Sequence, residues 1–139
     1  MGQLAEHAAN HPFLVVGLIA MLIAVIFFEA RQRAQGQSNV SATDAVKLIN
    51  RGAVVIDVRK PADFQAGHIV NSKNVELSEV GPEQPVLKKQ KNKVLITVCD
   101  NGLMAGRAAG ALRKAGFDKV FSLKGGLNGW RAENLPLVK

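Results

Sequence analysis

Residues 94–104 read VLITVCDNGLM: five apolar or β-branched residues from Val94 to Val98, then Cys99, then Asp100 to Met104 leading into a helix-forming run, Leu103–Ala115. Five such residues in a row, with no polar alternation, predict a strand buried on both faces. A strand that gives way to a helix within so few residues needs a loop that curls. A curled loop turns several main-chain N–H groups inward, and the helix start adds partial positive charge. Cys99 stands at the mouth of that loop, and both features favour its thiolate. Gly102 fits a place where the backbone takes an unusual dihedral angle or approaches another group closely.

The same alternation extends in both directions. Upstream, Ser41 and Asp44 form a capping-box pattern ahead of Ala42, Ala45, Val46 and Ile49 at helical spacing, with Gly52 as the stop. Ala53–Val58 (AVVIDV) is a second short apolar run, and Pro61 begins a short helix that Gly67 closes. Lys73–Leu77 reads as another strand, followed by a surface loop marked by Gly81, Pro82 and Pro85. Downstream, the helix ends at Gly116, Val120–Leu123 is a further strand, and Gly125-Gly126 breaks the chain before a short helix around Trp130. Apolar strands alternating with helices predict an α/β fold with a parallel sheet covered on both sides. In such sheets ligands gather beyond the carboxyl ends of the strands, where Cys99 is expected.

The first thirty residues have another character. From Phe13 to Phe28 every residue is apolar or glycine. A helix that is apolar all round and long enough to approach the width of a hydrocarbon core predicts a transmembrane span over residues 12–30. Neither Lys nor Arg precedes it, whereas Arg31 and Arg33 follow. The positive-inside rule therefore puts residues 1–11 outside and the remainder in the cytoplasm. The polar residues 31–39 are expected to form a linker, and residues 40–139 a single domain. The chain has 139 residues, a net charge of +7 and one cysteine. One cysteine excludes an intramolecular disulfide, a CxxC redox pair and a multi-thiolate metal centre. The positive charge is spread along the chain apart from Lys88–Lys93, and aromatic residues are few, which argues against nucleic-acid binding.

Asp57-Val58-Arg59, Asp63-Phe64 with Gly67-His68-Ile69, Cys99 with Gly102 and Ala108-Ala109, and Gly125-Gly126 with Gly129-Trp130 occur in one order and spacing. As a set they resemble the rhodanese domain family, across nearly all of Ser41 to Trp130. The hydrophobic leader and the closing Glu133-Asn134-Leu135-Pro136-Leu137 resemble its membrane-anchored, single-domain type from Gram-negative bacteria. The resemblance implies a three-layer, rhodanese-like fold with a five-stranded parallel sheet, preceded by one transmembrane helix in the bacterial inner membrane. It also implies sulfur transfer through a persulfide on Cys99, with no bound cofactor or metal. The loop Asp100, Asn101, Gly102, Leu103 and Met104 would then bind substrate through its backbone N–H groups. Expected partners are a small sulfur donor with a thiol or cyanide acceptor, or a protein persulfide, together with the lipid bilayer and neighbouring membrane proteins.

Two loop residues depart from the pattern of thiosulfate-using members. Asp100 puts a carboxylate directly after the nucleophile, and Met104 lacks the positive charge or hydroxyl found there. A carboxylate so near disfavours both the thiolate and a dianionic donor, so weak turnover of thiosulfate is expected. Arg107, in the first turns of the helix, is a candidate for electrostatic support. Asp57, Arg59, His68 and Trp130 read as structural: an Arg59–Asp63 ion pair fixing a loop, a hydrogen-bonded histidine, and a packing anchor. A cysteine phosphatase would need an arginine where Ala105 or Gly106 stands, which argues against phosphate-ester hydrolysis. The rival to sulfur transfer is a tethered interaction module with little or no catalysis.

Overall fold

The computed structural model describes residues 1–36 and 38–139, in two compact units, Met1–Gln37 and Ser38–Lys139. The first unit consists of helix α1 (Gly2–Asn10) and helix α2 (Pro12–Gly36). Within α2, the segment Pro12–Arg33 is long and apolar enough to cross a membrane, with a mean hydropathy of 2.7 over an 18-residue window. Its large apolar side chains from Phe13 to Phe28 are exposed within the unit, apart from the half-buried Val15. The residues expected to form a linker, 31–39, are in large part helical. The helix continues to Gly36, Gln37 lies outside the described residues, and Asn39 already belongs to a strand. Polar residues extend a helix readily once it is nucleated, because each further turn needs only one more set of backbone hydrogen bonds.

The second unit carries five parallel strands in the order β1-β5-β4-β2-β3: β1 (Asn39–Val40), β2 (Val54–Asp57), β3 (Lys73–Asn74), β4 (Leu95–Val98) and β5 (Val120–Leu123). Strand β1 is where composition misled, since a two-residue edge strand beginning with Asn has no apolar run to announce it. It is held in register by Asn39 opposite Ser122, whose hydroxyl donates to the Asn39 side chain. β3 stops at Asn74 rather than Leu77, and Leu77–Glu79 turns into a 3-10 helix. The expected surface loop also contains a short helix, α5 (Pro85–Lys88), with Leu87 fully buried beneath it.

Helices α3 (Ala42–Asn50), α4 (Pro61–Ala66), α6 (Leu103–Lys114) and α7 (Gly126–Ala132) complete the unit. The Asp44 N–H donates to Ser41 Oγ at 3.2 Å, so the N-terminal cap of α3 forms as its sequence suggests. Side chains alternate across the sheet with period two, which divides the interior into two layers. Ile56, Leu95 and Val120 face Ala105, Ala108 and Leu112 of α6, while Val55, Ile96 and Leu123 face Ala45 of α3 and Leu127 and Trp130 of α7. Cys99 continues the α6 layer, directly beyond the carboxyl end of the central strand β4.

Candidate functional site

The central strand ends at Val98, and Cys99 is buried, 2% exposed. Its sulfur accepts two main-chain hydrogen bonds, from Gly102 N–H at 3.0 Å and from Ala105 N–H at 3.3 Å. Donors aimed at one sulfur from a loop and from the first turn of a twelve-residue helix stabilise negative charge on it. The loop's contribution differs in detail from the expectation. Leu103 N–H donates to Asn101 Oδ1 at 3.0 Å and so is not directed at the sulfur, whereas Ala105, one residue beyond the expected set, does donate. Asn101 thereby satisfies one orphan donor at the start of α6, and its Oδ1 also lies 3.8 Å from the sulfur. Thr97 Oγ1 donates to Ala105 O at 2.8 Å, tying the first turn of α6 to β4 and keeping the Ala105 N–H where the sulfur can use it.

The clamp on the other side of the loop comes from the two glycines. Leu127 N–H donates to Cys99 O at 2.8 Å and Asn128 N–H to Asp100 O at 3.0 Å, both from the start of α7. Because a trans peptide sets its C=O and N–H on opposite sides, the N–H groups of Asp100 and Asn101 point away from α7. Among the described residues neither of them donates to another protein group. Gly126 (φ 57°) makes this approach possible: a Cβ there would lie 2.3 Å from Cys99 O and 2.6 Å from Asp100 O. Gly102 adopts φ 95°, and its close neighbours are Leu123 O and the Gly125 and Gly126 nitrogens. Its freedom serves the packing of two turns against each other.

Arg59 and Asp57 form the floor beside the loop. Asp57 Oδ2 accepts from Arg59 Nη2 at 2.8 Å, Asp57 Oδ1 accepts from Arg59 Nε at 3.0 Å, and Gly67 O accepts from Arg59 Nη2 at 2.7 Å. Asn74 Nδ2 donates to Asp57 O and Arg59 O at 3.1 and 2.9 Å, so β3 braces the same turn. The expected Arg59–Asp63 pair is corrected: besides Asp57, the carboxylate that reaches Arg59 is Asp100, 3.6 Å from Nη1. Asp63 acts on it only as a more distant charge. Hydrogen bonding to Asp57, against the opposing effect of burial, raises the Arg59 pKa, with the charges of Asp57, Asp100 and Asp63 adding to the rise.

A pocket of 270 Å³ opens over the sulfur, lined by Arg59, Lys60, Asp63, Asp100, Asn101 and Met104 together with Cys99 itself. Its charged lining consists of two cations and two carboxylates, so it has no net pull on an anion. Arg107 is exposed on α6 and does not line this pocket. Leu103 is exposed beside it, and Met104 is half-exposed at its rim. His68 Nδ1 donates to Phe64 O at 2.8 Å, its ring stacks on Phe64, and its backbone pairs with Val138. Trp130 is buried and donates from Nε1 to Pro136 O at 3.0 Å. Neither lines the cysteine pocket. A wider cavity of 430 Å³ beside Trp130 is lined mainly by apolar side chains such as Ile49, Ile69 and Leu135 and has no titratable group in its wall.

Lys60 and the Gly126 clamp were not anticipated as site elements. Lys60 lies three residues beyond the carboxyl end of β2, the neighbour of β4, so the convergence of strand ends in a parallel sheet was the available signal. Gly125-Gly126 was legible as a break, but what it packs against depends on tertiary structure alone.

Comparison with known proteins agrees with this geometry. Residues 41–133 match the rhodanese-like domain. The Escherichia coli protein YibN is 38% identical over 141 residues, covering 100% of this chain and 99% of its own. A protein named thiosulfate sulfurtransferase GlpE from Pseudoalteromonas translucida is 34% identical over 95 residues, 68% of this chain and 89% of its own. The crystal structure of a rhodanese-related protein from Thermoplasma volcanium superimposes with a TM-score of 0.64 at 27% identity, covering 72% of this chain and 96% of that one. A domain match spanning the sheet, the cysteine loop and the glycine clamp, with a relative similar from end to end, places this chain in the rhodanese-like domain family.

Proposed function

We propose that the chain is a sulfurtransferase that carries sulfane sulfur as a persulfide on Cys99. The observation that carries this reading is the pair of N–H donors, Gly102 and Ala105, converging on the Cys99 sulfur. The Cys99 thiolate attacks the outer sulfur of a donor, the donor's S–S bond breaks, and its electron pair leaves with the departing group. The N–H groups of Asp100 and Asn101, turned away from α7, are suited to receive negative charge on donor or leaving group. An acceptor thiolate then attacks the terminal sulfur of the persulfide and takes it, and the electron pair returns to Cys99. The name of the Pseudoalteromonas relative, a thiosulfate sulfurtransferase, supports this chemistry.

The balanced charge of the pocket favours a neutral polysulfane or a protein persulfide over thiosulfate, whose two negative charges gain nothing from two cations faced by two carboxylates. The apolar helix tethers the domain to the inner membrane, with the domain on the cytoplasmic side according to the placement of Arg31 and Arg33. Incubating the purified full chain with polysulfide, thiosulfate or a protein persulfide and measuring its mass tests the chemistry. The expected result is a gain of one sulfur atom, lost in Cys99→Ser and readily displaced by a thiol. If no donor loads sulfur, the reading fails and a tethered interaction module takes its place.

A further inference from the structure

The net positive charge of the chain is not used at the cysteine pocket, where cations and carboxylates balance. It collects at the opposite edge of the sheet. Because all five strands are parallel, they start along one edge. Lys119 immediately precedes β5, Lys93 lies two residues before the first residue of β4, and Arg51 opens the turn that leads into β2. These strands are adjacent, in the order β5-β4-β2, so the three cations form a row on the order of 10 Å long, given the spacing of paired strands. Lys91 joins them: Lys91, Asn92, Lys93, Asp118 and Lys119 line one shallow cavity, and Arg51, Asn92 and Lys93 share the wall of the next. All four cations are exposed and none forms an ion pair among the described residues, so Asp118 is the one carboxylate in the walls of these two cavities.

In the sequence, the domain follows the apolar helix directly, and its first strand, β1, pairs with β5. Resting on the tether reading above, we propose that the row Arg51, Lys91, Lys93 and Lys119 is a membrane-surface contact that takes anionic phospholipid headgroups and turns the Cys99 edge toward the aqueous side. Charge complementarity selects the occupant. A polybasic patch beside a membrane span gains attraction from each cation held near an anionic leaflet. The walls of these cavities contain no aromatic side chain on which a nucleic-acid base would stack.

The test is site-resolved acylation of lysines in the full chain, in lipid nanodiscs of phosphatidylglycerol with phosphatidylethanolamine and in discs of phosphatidylcholine alone. Lys91, Lys93 and Lys119 are expected to react about fivefold more slowly in the anionic discs at low salt, with the difference erased at high salt. Lys60 and Lys124, at the other ends of the strands, are expected to react equally in both. Equal rates for Lys91, Lys93 and Lys119 in the two lipids overturn the proposal, as does slowing by added RNA in phosphatidylcholine discs without slowing in the anionic ones. A chain that does not co-elute with either disc overturns the tether itself, a result distinct from equal labelling of an inserted chain.

Discussion

Gly126→Ala isolates what the α7 clamp does for the reactive loop. The new Cβ would sit 2.3 Å from Cys99 O and 2.6 Å from both the carbonyl carbon and oxygen of Asp100, all of them backbone atoms that no side-chain rotation can clear. The site also has φ 57°, where any residue with a Cβ loses about 1–2 kcal/mol. Relieving the clash requires the loop and α7 to separate by roughly 1 Å, which opens the hydrogen bonds to Cys99 O and Asp100 O, each worth about 0.5–1.5 kcal/mol. The sum is a loss of about 2–5 kcal/mol in unfolding free energy. The same displacement moves the sulfur relative to Gly102 and Ala105, and a misplacement of that size costs about a hundredfold in rate. Urea unfolding followed by circular dichroism reads the first effect and polysulfide loading of Cys99 the second. Gly110→Ala is the control: it lies in α6 with open space around its Cβ position, and is expected to leave loading unchanged and stability equal or higher by up to about 1 kcal/mol. A Gly126→Ala protein with wild-type unfolding and loading would refute the idea that the clamp shapes the sulfur site.

Asp100→Asn removes one of the two carboxylates in the pocket wall while leaving the loop's backbone bonds intact, and kcat/KM with thiosulfate is expected to rise about two- to fivefold, the range set by a partly solvated ion pair; an equal rise with a neutral polysulfane would contradict the charge argument. Asp57→Ala strands the buried Arg59 guanidinium, and chemical unfolding should show a loss of about 3–5 kcal/mol. The rise in the Arg59 pKa, caused first by the Asp57 hydrogen bonds, means its contribution is complete below the ordinary guanidinium value and is lost only as pH climbs through the raised one. The Asp57→Ala difference attributable to Arg59 should therefore not change between neutral and mildly alkaline pH, and a marked change there would count against the assignment. Asn101→Asp keeps an acceptor for Leu103 N–H but sets a carboxylate beside the sulfur, so alkylation of Cys99 by iodoacetamide should slow about tenfold, and an unchanged rate would show that the side chain faces elsewhere.

The interior of the sheet was legible because β2 and β4 are apolar on both faces, and only a strand covered by helices on two sides tolerates that. Cys99 and Gly102 were legible for a related reason, since a strand that hands over to a helix within a few residues leaves few geometries for the loop. Other features carry no local signature. The edge strand at Asn39 forms because Ser122 and Leu123 lie ready beside it, and its own two residues say nothing of that. The pairing of Arg59 with Asp100 joins residues forty-one positions apart on neighbouring strand ends, whereas Asp63, the partner that sequence proximity suggested, sits on the first turn of α4. Arg107 illustrates the opposite error: it is close to the cysteine in sequence, but it lies in the second turn of α6 and does not reach the pocket wall.

Asn39 and Ser122 are separated by 83 positions and yet lie side by side. During synthesis the edge strand leaves the ribosome soon after the apolar helix and then has nothing to pair with until nearly the whole domain has followed. Gly126, which holds the cysteine loop from behind, emerges later still. Non-local pairing of this kind delays closure of the sheet, and until then the nascent domain holds an unfinished edge and a thiol whose surrounding amides are not yet in position. The order of the strands thus leaves the amides around the sulfur among the last groups to be placed.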